Sequence, residues 1–488
     1  MDRTKDATKS DSRDRDLGLS NNLFQLYQTN SFISGFLEHF RSALHDIQFH
    51  FNISIAGYFS ITKDQQYTVP QLLSSAFQHA INIHPGLSVN IATSGSGRPH
   101  FRRLSKIPLH RTILFESVPS MSFRDPNYLD SIASRENSRG YSEEDLPLWR
   151  AIVLQPETDA STSDFWLLLS WHHSIGDGKS GLAVYHDVVR GIKSFHTKFN
   201  PNSIEDISMS RQGQEYIARA STKPLWPALE EIIILPLSQS GKPLAQPSKT
   251  KWGGTKIFCQ LPVVTKVHVV KVLDEVVVNL LSLCKKNKTT ITALLQAALG
   301  SVIINLTKAE LVTSATAMSL RRFFPSSFGI DDSLMGMWVG SILTDYEEDI
   351  LIHDDSHEVL WKRAAQDHEH FKKEIAKGDR DLDISQWKNV MDFERVMTEM
   401  IGQPRQKSYA ITNLNVFRVS EELDSANWRI EDMFFSQSCH VQGSALQACI
   451  MTLQDKGMSI SFTWQEGVVE QSLIVGVATA LGDLLAKL

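Results

Sequence analysis

Two hydrophobic periods run through this chain. Apolar residues recur at helical spacing from Leu72 to Ile83, which predicts an amphipathic helix. His84-Pro85-Gly86 ends it, and Leu87 to Ala92 follows with strand character. Ser94-Gly95-Ser96-Gly97 joins that strand to Pro99-His100-Phe101. A hairpin turn is expected there and not a phosphate cradle, because no helix opens after it and no Gly-Lys-Ser/Thr follows. Leu148 to Leu154 and Phe165 to Trp171 are short apolar runs separated by the polar stretch Pro156 to Ser163. They read as a second hairpin. Lys179 to Arg190 then places Leu182, Tyr185, Val188 and Val189 at helical spacing.

The texture changes between Pro201 and Thr250, which hold six of the 17 prolines and few sustained periodic runs. We read this stretch as a crossover between two lobes. Beyond it, Val270 to Cys284 carries a helical pattern that finishes in Lys285-Lys286, cations suited to a helix C-terminus. Thr289 or Thr290 can cap the next helix, Ile291 to Leu306. Helix-forming sequence runs from His357 to Lys377. Strands are predicted over Tyr409–Val419, Trp428–Gln437, Ala445–Leu453 and Met458–Trp464, with Asp455-Lys456-Gly457 as the last turn. A helix from Gln471 closes the chain. The expected organisation is a polar tail over 1–16, an N-terminal lobe over 17–200, a Pro-rich crossover over 201–255 and a C-terminal lobe over 256–488. The expected class is α/β, with a mixed sheet flanked by helices in each lobe.

Length and charge narrow the field. The 488 residues suffice for two domain-sized cores. A net charge of -6, with acids and bases interleaved, argues against nucleic acid as a partner. The four cysteines are too few and too scattered for a disulfide framework, and no C-x-x-C occurs. The first residues lack the apolar segment of a secretory signal. Thr292 to Leu306 is the most apolar long stretch, but Gln296, Ser301 and Asn305 interrupt it, so a core helix is expected and not a membrane span. A cytoplasmic location is expected, with the peroxisome as the alternative raised by the terminal Ala486-Lys487-Leu488.

The most specific chemistry lies between the Phe165–Trp171 strand and the helix after it: His172-His173-Ser174-Ile175-Gly176-Asp177-Gly178. A strand, tight turn and helix hold the imidazoles on a rigid edge. A histidine there can take a proton from a hydroxyl and return it to a leaving group. Asp177 lies across a turn closed by Gly176 and Gly178, and is better placed for a buried ion pair with an arginine than for the imidazole. Gly178 leaves the helix entrance open, where backbone N–H groups can face an oxyanion. No G-x-S-x-G elbow supports a serine hydrolase. His353 and His357 flank Asp354-Asp355 but do not form H-E-x-x-H, and His368 and His370 point to different helix faces. No metal is expected.

This His-His-x-x-x-Asp-Gly segment resembles the signature of the superfamily that holds chloramphenicol acetyltransferase, peptide-synthetase condensation domains and plant BAHD acyltransferases. Within it the chain most resembles the fungal alcohol O-acetyltransferases. Supporting segments are His84-Pro85-Gly86-Leu87, Pro147-Leu148-Trp149-Arg150, Lys288 to Leu295, Ser319-Leu320-Arg321-Arg322, Phe434 to Ser438 and Ser461 to Gly467. The resemblance implies two chloramphenicol-acetyltransferase-like lobes with a tunnel between them. It further implies His173 as general base beside His172, and Asp177 as a structural residue paired with Arg321 or Arg322. Asn413, Ser436 and Gln437 are implied as tunnel residues. Two departures matter: the plant Asp-Phe-Gly-Trp-Gly is absent, and a frequent fungal Ser-Asn-Leu-Gly reads Thr412-Asn413-Leu414-Asn415, whose added side chain would reshape the tunnel.

The expected function is acyl transfer from acyl-CoA, acetyl-CoA first, to a hydroxyl of a small alcohol, without an acyl-enzyme or a bound cofactor. A monomer is expected. An N-acyl or carrier-protein-dependent transferase stays open, as does a metabolite-binding scaffold without transfer.

Overall fold

In the computed structural model, residues 31–61, 67–93, 99–157, 164–198, 216–236, 249–351, 357–380, 382–419 and 428–488 are described. The expected N-terminal tail, the Ser94–Gly97 turn, most of the Pro156–Ser163 turn and His353 lie outside them.

The first half contributes α1 (Phe36–Asp46), β1 (Asn52–Ile61), α2 (Val69–Ile83), β2 (Ile113–Val118), α3 (Pro126–Asn137), β3 (Trp149–Pro156), β4 (Phe165–His172) and α4 (Gly178–Lys198). The second half contributes β5 (Thr265–Val272), α5 (Asp274–Lys286), α6 (Ile291–Thr307), β6 (Leu311–Ser319), β7 (Val339–Glu347), α7 (Glu358–Ala376), β8 (Tyr409–Phe417), β9 (Trp428–Gln437), β10 (Leu446–Leu453), β11 (Gly457–Gln465) and α8 (Gln471–Lys487). Helix α2 starts in a reciprocal cap: Thr68 accepts from the Gln71 N–H while the Gln71 side chain accepts from the Thr68 N–H. Thr290 caps α6 with a single bond, its hydroxyl accepting from the Ala293 N–H.

Two mixed sheets result. The six-stranded sheet runs β5-β11-β10-β8-β6-β7 and belongs wholly to the second half. The five-stranded sheet runs β9-β1-β4-β3-β2, so its edge strand comes from the second half. Every residue of β4 is buried, as in a strand covered on both faces. Helices α2 and α4 pack over one face, in a core that includes Phe77, Trp149, Leu167, Leu169, Trp171, Tyr185 and Val188. Trp149 donates from its indole to the Leu87 carbonyl, which ties β3 to the segment after α2. The second core gathers on α6, where Ala293 to Ile304 are buried without a break. Among the described residues no single helix is long and apolar enough to cross a membrane.

The expected Val270–Cys284 helix is corrected. Thr265 to Val272 is the edge strand β5, and the helix begins at Asp274. Valines suit both elements, and tertiary pairing with β11 decides for the strand. Helix α3 closes that edge: the Val267 and Val269 N–H groups donate to Ser134 and Asp130, and Thr265 N–H donates to Ser138. Unpaired strand donors are thereby satisfied by side chains of the other lobe.

Candidate active site

The sharp turn after β4 is built around one carbonyl. Gly176 O accepts from the Trp171 indole at 3.1 Å and from His173 Nδ1 at 3.1 Å. A carbonyl only accepts, so Nδ1 carries the hydrogen and His173 Nε2 is the acceptor nitrogen. Nε2 has no hydrogen-bond partner among the described residues, and His173 lines a cavity of about 580 Å³. Burial first, and then the Arg41 charge, pulls the His173 pKa down to about 3. The imidazole is therefore neutral throughout the physiological range.

His172 faces elsewhere. Its Nδ1 accepts from the Ser174 N–H at 3.0 Å, and its ring rests on His45 with centroids 4.5 Å apart. It does not line the cavity, so the expectation that set it beside His173 in the chemistry is replaced by a buttress beneath the turn.

Asp177 closes the turn and opens α4. Its carboxylate accepts from the Ser180 N–H at 3.0 Å, as a helix cap does. It also accepts from the Trp338 N–H at 3.1 Å. Arg321 donates twice, Nη1 to Oδ2 at 2.7 Å and Nη2 to Oδ1 at 3.1 Å. Both partners are buried, and the guanidinium lies 4.8 Å from the Trp338 ring centroid. Burial works to raise the Asp177 pKa, but Arg321 and the N–H donors outweigh it and hold the carboxyl below its usual range. Of the two arginine candidates, Arg321 makes this pair; Arg322 is exposed and donates to the Ser319 carbonyl. A Cβ at Gly178 would lie 2.6 Å from Leu414, so glycine here permits close approach of the lobes.

The cavity runs between the sheets, with Thr313 and Ala315 of β6, Val339, Ser341 and Leu343 of β7 and Ala410 to Thr412 of β8 on one side. Gln437 lines it. Ser436 and Asn413 do not, contrary to the reading from sequence. Ser436 points the opposite way along β9, its hydroxyl 2.8 Å from that of Ser54 and accepting from the Asn137 amide at 2.9 Å. Asn413 donates to the Thr292 hydroxyl at 3.0 Å and accepts from the Asn415 N–H. Asn415, expected to reshape the tunnel, is exposed and occupies the left-handed region at φ 67° beside an irregularity in β8. Asparagine tolerates that backbone better than most residues, which explains its exchange for glycine.

Several residues on or behind the cavity wall carry no motif that the sequence could reveal: Arg41 and His440 line it, and His50 lies behind them. The His50 ring lies 5.3 Å from that of His173 and 4.3 Å from that of His440. Arg41 donates to His440 Nε2 at 2.6 Å. Only His440 sat near a recognisable segment, three residues after Gln437.

A two-lobed fold with a tunnel-facing histidine after β4 defines the chloramphenicol-acetyltransferase-like class. Solved structures agree on the fold. The trichothecene 15-O-acetyltransferase TRI3 from Fusarium sporotrichioides superposes with a TM-score of 0.68, at 11% identity over 95% of this chain and 98% of that one. The first condensation domain of the calcium-dependent antibiotic synthetase gives 0.59, at 12% identity over 94% and 97%. The alcohol acetyltransferase family model matches residues 127–476, and the chain belongs to that family. It is similar to a probable alcohol acetyltransferase, crmB, of Aspergillus fumigatus, 26% identical over 90% of this chain and 96% of that one. A second such protein, FCK4 of Fusarium pseudograminearum, is 22% identical over 80% and 81%. The protein is an acyltransferase.

Proposed function

We propose that the protein transfers an acyl group, acetyl in the simplest case, from acyl-CoA to the hydroxyl of a small alcohol, with His173 as general base. The reading rests on one observation above others: the Gly176 carbonyl fixes the His173 Nδ1–H and leaves Nε2 as acceptor on a cavity between the lobes. Nε2 takes the hydroxyl proton as the oxygen attacks the thioester carbonyl. The C–O bond forms, the tetrahedral intermediate collapses, the C–S bond breaks, and the imidazolium returns its proton to the CoA thiolate. The Gly178 N–H, at the first position of α4, is the donor assigned to the developing oxyanion. Holding both reactants in one cavity supplies orientation and excludes water as a competing nucleophile.

The test pairs calorimetric titration of acetyl-CoA with a transfer assay over an alcohol panel, for wild type and His173→Ala. We expect both proteins to bind acetyl-CoA, and the variant to lose about 10²- to 10⁴-fold in kcat. A His173→Ala protein that turns over at the wild-type rate overturns the assignment.

A further inference from the structure

Arg41 carries a charge that the protein does not neutralise. Its Nη1 donates to His440, its Nε is buried without a partner, and no carboxylate pairs with it among the described residues. The fully buried arginines here each have an acid or several carbonyls to donate to. Arg321 has Asp177, Arg150 has Glu136, and Arg405 donates to the carbonyls of Thr255, Val441 and Gly443. A second cation, Lys407, lines the same cavity with no hydrogen-bond partner among the described residues. Asp383 acts on it through its charge, but that carboxylate is hydrogen-bonded to the N–H and hydroxyl of Ser341 and makes no ion pair with the lysine.

The acids on the cavity wall are likewise occupied. Asp177 serves Arg321, and Asp345 accepts from the Thr313 hydroxyl. Lys251, the remaining cation on the wall, donates to the Gln406 carbonyl. Arg41 and Lys407 thus have no carboxylate in ion-pair contact among the described residues, and in this partly dehydrated space a ligand anion would supply one. His50, kept neutral by burial, lies between His173 and His440 with neither ring nitrogen bonded and supplies no counter-charge.

We propose that Arg41 and Lys407 form an anion subsite of the reaction cavity, which takes a carboxylate or phosphate oxyanion belonging to one of the two reactants. A guanidinium matches such a group with two parallel donors, and the ammonium adds a point charge. The inference rests on the reading of this cavity as the reaction site. Its nearness to His173, through the rings of His440 and His50, favours an acid group on the acceptor. The phosphates of CoA are held away from the thioester by the pantetheine arm.

The experiment follows the Arg41 Nε–H by nitrogen-15 NMR, its signal identified by its loss in Arg41→Gln or, should that variant not fold, in Arg41→Lys. The probes are sodium benzoate, inorganic phosphate, CoA and S-acetylpantetheine, against sodium chloride at equal ionic strength. We expect a saturable shift with benzoate or phosphate that chloride does not produce, and affinity weakened about tenfold in Lys407→Gln. A benzoate shift that persists with acetyl-CoA bound assigns the subsite to the acceptor. A shift with CoA but not with S-acetylpantetheine assigns it to a CoA phosphate. No saturable shift with any probe overturns the proposal, as does unchanged affinity in Lys407→Gln. Benzoate binding without any acetyl-CoA binding leaves the subsite standing and removes the acyl-CoA reading instead.

Discussion

Replacing Arg321 by methionine tests what the ion pair beneath the histidine turn does. The substitution keeps an unbranched side chain against Trp338 but removes both donors to Asp177. The carboxylate would remain buried with only the Ser180 and Trp338 N–H groups and the Ser180 hydroxyl. Stranding one member of such a pair costs about 3–5 kcal/mol. Asp177→Asn strands the guanidinium in turn, although the Leu334 carbonyl still accepts from it. The double variant strands neither charge. Urea unfolding should therefore show each single variant about 3–5 kcal/mol less stable, and the double variant less damaged than the sum by at least about 2 kcal/mol. Acyl transfer should fall with stability, because the same carboxylate caps α4 and fixes the turn that orients His173. Single variants within about 0.5 kcal/mol of wild type, or strictly additive losses, would refute the reasoning. So would Asp177→Asn with normal unfolding and a lost rate, which would move Asp177 from positioning into the chemistry.

Three further outcomes follow from the geometry. Burial, aided by neighbouring charges, holds His50, His172 and His440 well below their ordinary pKa, and His173 at about 3. The unfolded chain takes up protons at these positions below about pH 6.5, while the folded one does not, so stability is lost as pH falls, by about 1.4 kcal/mol per unit for each group. Urea midpoints should decline steadily from pH 6.5 to 5; a flat profile would contradict this. Gly181→Ala should destabilise by about 1–3 kcal/mol, since its Cβ would lie 2.0 Å from the Trp171 ring, whereas Gly482→Ala meets nothing within 4 Å and should stabilise α8 by about 0.5–1 kcal/mol. Thermal melting of the pair checks both signs. Gln437→Leu should alter KM for a reactant with little loss of stability, and Ser436→Ala should do the reverse; steady-state kinetics beside melting curves separate them.

The sequence disclosed whatever depends on neighbours along the chain. The short apolar run of Phe165 to Trp171, the glycines after it and the helical spacing behind it locate the turn, and that turn alone points Asp177 to an arginine. What depends on pairing across the chain was not legible. The second-half strand β9 lies beside β1, a partner that no local pattern names. The period of two says that Ser436 and Gln437 face opposite ways, but not which face meets the cavity. Arg41, His50 and His440 belong to no common motif, and only the fold brings them together. Around Val270 the valines fitted two periods, and the edge of a distant sheet chose between them.

The placement of β9 has a consequence for how reactants arrive. Its backbone is laced to β1 from Trp428 to Gln437, while the chain on either side of it belongs to the other sheet. The halves are joined like a belt passed through a buckle, and cannot swing apart as a clamshell without tearing ladder hydrogen bonds. Reactants must then reach the cavity without the sheets parting, and a chain severed at the crossover should yield two fragments that fold only in each other's company.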